Sequence, residues 1–184
     1  MKKKILIIFG IIIGFIVVYF LFQHVLLKIV YPKKYSEYVY KYSQENGIDP
    51  LLVFAVIKAE SDFKTDALSK SGAIGLMQLM PETAEEMLNE LGMELKFDNE
   101  LYDVEKNIQV GTKYYALLSK KYNGNIQLAL AAYNAGIGNV NKWIEDGKIN
   151  EDGSNIENIP YKETNNYVRG ILRDYSIYRA LYKE

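Results

Sequence analysis

The most informative segment of this chain reads Asp49-Pro50-Leu51-Leu52-Val53-Phe54-Ala55-Val56-Ile57-Lys58-Ala59-Glu60. Asp is favoured as a helix N-cap and Pro at the first helical position, so Asp49-Pro50 predicts the start of a helix. Because Leu51 to Ile57 would make that helix apolar on nearly every side, we expect it to lie at the centre of the fold.

Glu60 closes this apolar segment. Burial at the end of an apolar helix, together with the negative end of the helix dipole, disfavours a charged carboxylate and raises its pKa. A carboxyl group that keeps its proton near neutral pH can act as a general acid. The alternative is a solvated glutamate at a helix end, and the downstream sequence decides between the two.

The remaining sequence predicts further helices and one long loop from Ser61 to Met80, with Gly72 and Gly75 inside it. No segment shows convincing alternation of apolar and polar residues, so the predicted fold class is all-α. The predicted helices are Tyr35 to Glu45, Pro81 to near Gly92, a long helix from the cap Asp103 to Tyr122, a short one from Asn125 to Gly136, one that carries Trp143, and Glu163 to Tyr182.

The N-terminal region contains about 18 residues, Ile5 to Phe22, without a charged side chain, which is the length that spans a bilayer. A cleaved signal peptide would need a small-x-small cleavage site, and none follows Phe22. We therefore predict an uncleaved membrane anchor and a short joint in residues 1–34, followed by one domain in residues 35–184.

The orientation of the anchor depends on lysines at both ends. Lys2, Lys3 and Lys4 predict a cytoplasmic N-terminus, whereas Lys28, Lys33 and Lys34 oppose it. We predict a single-pass protein with the N-terminus inside and the domain outside.

Composition excludes several functional classes. Residues 1–34 hold six of the 22 basic residues and none of the 23 acidic ones, which leaves residues 35–184 with a net charge of −7. Nucleic acid binding requires a basic face, so it is not expected. With no cysteine and a single histidine, neither a transition-metal site nor any other cofactor is expected.

Four separated motifs carry a resemblance: Ala59-Glu60-Ser61, the run from Ser69 to Pro81 that includes Gly75-Leu76-Met77-Gln78, Ala131-Ala132-Tyr133-Asn134-Ala135-Gly136, and Glu163 to Val168. Together they resemble the soluble lytic transglycosylase family, whose fold is related to goose-type lysozyme. The resemblance covers about Ile48 to Tyr182.

This resemblance implies cleavage of peptidoglycan glycan strands between N-acetylmuramic acid and N-acetylglucosamine. It assigns Glu60 as the catalytic acid that protonates the glycosidic oxygen and then as the base for the muramoyl C6 hydroxyl, which closes a 1,6-anhydro ring. Most glycosidases need a second carboxylate, whereas here the nucleophile would be the substrate's own hydroxyl. The resemblance therefore also implies a catalytic domain on the cell-wall side of the membrane.

The resemblance also suggests substrate-binding residues: Ser69, Gln78, Tyr133, Asn134, Glu163 and Tyr167. It places the Tyr133 phenol near Glu60 and the Gln78 amide in the cleft, where it can pair with an acetamido group. Glu163 would face the cleft, with Tyr167 one turn later on the same face.

Alternative roles remain open for several of these residues. Tyr133 could instead be a core tyrosine, Asn134 a helix-capping residue and Glu163 a helix N-cap. At the level of the whole protein, the alternatives are a hydrolytic muramidase with the same fold and an inactive, membrane-tethered peptidoglycan-binding module.

Overall fold

A computed structural model describes residues 2–182 of the chain, with side chains for residues 9, 10 and 12–182. Across this part the fold is all-helical, as predicted, and strands are absent apart from two isolated bridges, Leu68 with Ile74 and Ile74 with Leu79. The helices are α1 (Lys2–Val30), α2 (Ser36–Asn46), α3 (Pro50–Ser61), α4 (Pro81–Glu90), α5 (Val104–Lys121), α6 (Ile126–Ala135), α7 (Ile137–Glu145) and α8 (Lys162–Tyr182), with 3₁₀ turns at Asp98–Tyr102 and Ile156–Asn158.

Helix α3 lies at the centre of the domain. Asp49 is its N-cap and accepts a hydrogen bond from the Leu51 backbone N–H at 2.8 Å. Every residue from Leu51 to Ile57 is buried, and α3 packs chiefly against α8 and α2. The prediction of a central helix is confirmed, because its apolar side chains are covered on all sides.

Capping residues are also present at the ends of three other helices. Asp103 accepts from the Lys106 N–H at the start of α5, and Asn125 accepts from the Leu128 N–H at the start of α6. Gly47 ends α2 in the left-handed conformation that glycine readily adopts. These local signals fix the helix ends to within a few residues of the predictions.

The loop between α3 and α4 is held by the buried side chain of Asn107 on α5. Asn107 Nδ2 donates to the carbonyl oxygens of Ile74 and Leu101 at 3.0 and 2.8 Å, and its Oδ1 accepts from the Met77 N–H at 2.8 Å. Gly75 has φ +78, and a Cβ there would lie 2.3 Å from Asn107 Nδ2. This position therefore requires glycine, both for its backbone conformation and for the close approach of Asn107.

Helix α1 continues to Val30, eight residues beyond the predicted end of the apolar segment. Within the described residues, Ile12–Val30 is long and apolar enough to cross a membrane, with a mean hydropathy of 2.1 and no buried part. The side chains of Lys2, Lys3 and Lys4, on which the orientation prediction depends, lie outside the described residues.

The joint after α1 packs onto the domain. Tyr31 is buried, and its hydroxyl donates to Asp174 Oδ1 on α8 at 3.3 Å. Tyr178 Oη donates to the Pro32 carbonyl oxygen at 2.9 Å. Residues 31 and 32 are thus packed against α8.

Candidate active site

Glu60 lies in the last turn of α3 and is half-buried. Its Oε1 accepts a hydrogen bond of 2.6 Å from the hydroxyl of Tyr167 on α8. Burial raises the pKa of Glu60 to about 7, and the Tyr167 hydrogen bond offsets part of that rise because it favours the carboxylate. The group therefore changes protonation near neutral pH, as a residue that serves as acid and then as base must.

Tyr133, on α6, lies near Glu60 but does not donate to it. Its hydroxyl donates to the Met77 carbonyl oxygen at 2.8 Å, and its ring centroid lies 5.2 Å from that of Tyr114. Burial raises the pKa values of both Tyr133 and Tyr167 well above the ordinary value, and the negative charge of Glu60 is the second cause. Both phenols therefore remain protonated, Tyr133 as the donor to the Met77 carbonyl oxygen and Tyr167 as the donor to Glu60.

Gln78 and Ser69 lie in the loop that follows α3. The Gln78 Nε2 donates to the carbonyl oxygens of Gly75 and Ala67 at 2.9 and 3.3 Å, and the residue has a positive φ of 47°. Ser69 Oγ accepts from the Ala73 N–H at 2.9 Å. Both side chains thus order the loop, and their contact with a sugar stays a prediction.

Asn134 and Glu163 line one open groove of about 550 Å³ together with Tyr161. Asn134 is exposed, and its Oδ1 accepts from the Thr164 hydroxyl at 2.8 Å, which connects α6 to α8. It does not cap α6, since Gly136 is the cap residue. Glu163 is exposed in the first turn of α8. Glu163 does not pair with Tyr133, whose hydroxyl donates to the Met77 carbonyl oxygen.

The sequence reasoning missed two features of the site. The first is Asn107, which orders the loop that follows α3, and the second is the Met77 carbonyl oxygen, which accepts the hydrogen bond of the Tyr133 hydroxyl. A polar Asn directly before Ile108, on the core-facing side of α5, was the available signal for the first. No sequence signal identifies a backbone carbonyl as the partner of a distant tyrosine.

We expect Tyr167→Phe to shift the alkaline limb of the pH–rate profile to higher pH. The hydroxyl stabilises the Glu60 carboxylate, so its removal raises the pKa of Glu60 further and keeps the acid protonated to higher pH. A hydrogen bond to a charged group is worth about 1.5–3 kcal/mol, which corresponds to roughly one to two pKa units. The profile of kcat/KM on glycan strands, compared with that of the native chain, measures this shift, and an unchanged limb would show that Tyr167 does not act on Glu60.

Tyr133→Phe should lower turnover while folding is retained. The substitution removes one oriented donor without changing the shape of the ring, and loss of such a donor in a catalytic site costs on the order of ten- to a thousandfold in rate. Turnover and the thermal unfolding midpoint are measured side by side. A fall in stability with unchanged turnover would assign Tyr133 to packing alone, through its bond to Met77.

Comparison with known proteins places this geometry in a family. Residues 37–156 match the Transglycosylase SLT domain. The chain is 31% identical over 151 residues to the soluble lytic murein transglycosylase of Salmonella typhimurium, covering 81% of this chain and 23% of that protein. It is also 37% identical to the membrane-bound lytic murein transglycosylase C of Edwardsiella ictaluri, covering 58% of this chain and 32% of that protein.

Solved structures show the same similarity. An inactive variant of the lytic transglycosylase Slt of Pseudomonas aeruginosa, with Gln in place of one Glu, superposes with a TM-score of 0.77 at 37% identity and covers 84% of this chain and 25% of that one. This chain spans about a quarter to a third of the length of the relatives cited here. Because the domain match covers well over half of the chain, and because sequence and structure agree, the protein belongs to the transglycosylase SLT family and has its lysozyme-like, all-helical fold.

Proposed function

We propose that this protein is a peptidoglycan lytic transglycosylase that cleaves the bond between N-acetylmuramic acid and N-acetylglucosamine and releases a 1,6-anhydromuramoyl end. The observation that carries the proposal is Glu60, a half-buried carboxyl with a pKa of about 7 that accepts a hydrogen bond from Tyr167. The relatives named as lytic murein transglycosylases support the assignment of the reaction.

The reaction needs Glu60 in both protonation states. Protonated Glu60 gives its proton to the glycosidic oxygen as the bond to C1 breaks. The resulting carboxylate then takes the proton of the muramoyl C6 hydroxyl while O6 forms its bond to C1, which restores the acid. Burial stabilises the neutral form and Tyr167 the charged form, so a pKa near 7 keeps the two states close in free energy.

A single carboxyl is sufficient for this reaction. Among the side chains that the structure describes, the causes of the raised pKa of Glu60 are burial and the opposing Tyr167 hydrogen bond, with no second charged group. Glu163 is exposed and lies in the groove beside Asn134. Hydrolytic glycosidases place two carboxyls about 5–9.5 Å apart to supply a nucleophile or to activate water. The intramolecular attack of the C6 hydroxyl, which is already bound at the site, needs no such second carboxyl.

Mass spectrometry of the products tests this proposal. Cell wall digested with the purified full-length chain should yield muramoyl ends lighter by one water than hydrolysed ends. Products with reducing muramoyl ends would identify a hydrolytic muramidase instead. Binding of the chain to cell wall without any released product would indicate an inactive binding module.

We further propose that α1 is an uncleaved, single-pass anchor with its N-terminus in the cytoplasm and the catalytic domain on the cell-wall side. The apolar, unburied segment Ile12–Val30 supports insertion, and the membrane-bound relative is consistent with it. The lysines at positions 2–4 support the orientation.

We expect the mature protein to run at full length and to stay in the membrane fraction after a high-salt wash. Burial of the mainly apolar, 19-residue segment Ile12–Val30 in the bilayer does not depend on ionic strength, unlike adsorption through charged side chains. Immunoblotting of the washed membranes and the medium measures this. A shorter, soluble form in the medium would show that the segment is a cleaved signal peptide.

A further inference from the structure

A groove of about 330 Å³ lies where α1 meets the catalytic domain, and the proposed reaction does not use it. We call it the junction groove, and it is lined by Ile29, Val30, Pro32, Lys34, Lys58, Asp62 and Phe63. One wall is the end of the apolar helix α1, where Ile29 and Val30 are largely exposed. Its lining also includes two lysines, Lys34 from the joint after α1 and Lys58 from α3.

Side chains of the domain contact the joint after α1. Tyr31 is buried, Tyr182 Oη donates to the Tyr31 carbonyl oxygen at 2.8 Å, and Tyr178 donates to that of Pro32. The Lys33 Nζ lies 4.6 Å from the centre of the Tyr182 ring, a cation–π distance, and 3.1 Å from the Tyr40 hydroxyl. The domain is therefore held at the end of α1 by direct contacts.

The charge of the junction is opposite to that of the domain around it. Residues 35–184 carry a net charge of −7, yet Lys28, Lys33 and Lys34 come just before them with no acidic residue between positions 1 and 34. Lys58 adds a fourth cation, and its Nζ lies 3.6 Å from the Asp62 carboxylate. Asp62 neutralises one of these charges, and Lys34 is exposed at the groove. An anionic surface would thus repel most of this domain and attract it at the junction.

We propose that the junction groove binds the phosphate of an anionic phospholipid headgroup in the bilayer that α1 enters. The apolar residues Ile29 and Val30 would lie at the boundary between acyl chains and headgroups, and Lys34 and Lys58 would bind the phosphate beyond them. The aliphatic part of a lysine side chain packs along apolar surface while its ammonium group reaches the polar layer. Lysines are therefore suited to the boundary between acyl chains and headgroups. Because the groove is continuous with the apolar helix α1, which would lie in the bilayer, we assign a lipid as its occupant.

This docking positions the catalytic acid near the membrane. Lys58 and Glu60 are two residues apart on α3, and at 100° per residue their side chains leave opposite sides of that helix. Lys58 lines the junction groove, and Glu60 meets Tyr167. Glu60 would then be held about one helix diameter, roughly 10 Å, from the bound headgroup. This inference rests on the proposed function. The placement makes glycan strands next to the membrane the substrate of the enzyme.

Photo-crosslinking in nanodiscs tests the lipid site. The full-length chain is placed in nanodiscs of equal parts phosphatidylcholine and phosphatidylglycerol, with a trace of phosphatidylglycerol that carries a photoactivatable headgroup. Mass spectrometry then measures the crosslink yield on the peptides around residues 28–36 and 58–64. Each lysine near an anionic surface should contribute roughly fivefold, so Lys34→Gln/Lys58→Gln should lower the yield by roughly 5- to 30-fold.

The double variant Lys120→Gln/Lys142→Gln is the matched control. It removes the same two charges from exposed positions on α5 and α7 and should leave the yield unchanged. Lys34→Gln alone should lower the yield roughly fivefold. Because Lys34 is exposed, this single variant still tests the proposal if the double variant misfolds. Equal yields from the groove variants and the control, or equal labelling by a phosphatidylcholine probe, would overturn the proposal.

The outcome is separable from that of the proposed function. Release of anhydromuramoyl ends from soluble glycan strands is measured on the same protein in detergent, where no bilayer is present. Loss of that activity with an intact crosslink would contradict the proposed reaction and leave the lipid site standing. Activity without a selective crosslink would contradict the lipid site and leave the proposed reaction standing.

Discussion

Glu60→Gln is expected to reduce glycan cleavage by roughly a thousandfold or more, because one group supplies both the acid and the base of the reaction. The amide keeps the size and shape of the side chain but cannot give a proton of suitable acidity to the glycosidic oxygen. Release of 1,6-anhydromuramoyl ends measures the rate, and glycan binding should persist.

Glu145→Gln is the matched control for this substitution. Glu145 is an exposed glutamate at the end of α7, so the same chemical change there should leave the rate unaltered. A Glu60→Gln variant that cleaves peptidoglycan at the native rate would contradict the assignment of the catalytic acid, since no other residue is assigned that role.

Glu60→Gln should also be more stable than the native chain above pH 7. The pKa of Glu60 is raised from 4.5 to about 7 on folding, so the native state binds the proton more tightly than the unfolded state between these values. The stability that protonated Glu60 contributes to the free energy of unfolding is therefore fully present below about pH 4.5. It is lost as the pH rises to about 7. Gln has no such dependence, and the gain above pH 7 should be about 1–3 kcal/mol, since one pKa unit corresponds to about 1.4 kcal/mol.

Asn107→Ala should destabilise the protein by about 3–5 kcal/mol. The substitution leaves two buried backbone groups, the Met77 N–H and the Leu101 carbonyl oxygen, without the partner that Asn107 supplies. It also removes one of the two hydrogen bonds to the Ile74 carbonyl oxygen, which still accepts from the Leu79 N–H. Each unsatisfied buried group costs about 1–3 kcal/mol. Thermal unfolding of the full-length chain in detergent should show a midpoint lower by roughly 10 °C or more.

A comparable asparagine provides the control for Asn107→Ala. Asn139 on α7 is partly buried, and its Nδ2 donates to the Ala135 carbonyl oxygen at 2.7 Å. Asn139→Ala should cost about 1 kcal/mol or less. If both variants unfold at the same temperature, the three hydrogen bonds of Asn107 do not hold the loop.

The sequence predicted the secondary structure well, because its signals are local. The caps Asp49, Asp103 and Asn125 each bond to an N–H two or three residues later, so short-range chemistry alone places these helix starts. The central position of α3 followed from its apolar residues. The raised pKa of Glu60 was likewise expected, because its position at the end of an apolar helix already implies desolvation.

Which hydroxyl reaches Glu60 was decided by the packing of α3 against α8. The motif placed Tyr133 near the acid, yet the donor is Tyr167, separated from Glu60 by 107 residues of chain. Tyr133 donates instead to a loop carbonyl that Asn107 helps to fix. These partners depend on the distance and angle between elements far apart in the chain, to which short-range residue patterns are insensitive. Local chemistry thus determined the helices and the acid, and only tertiary packing determined the donor that adjusts the proton affinity of that acid.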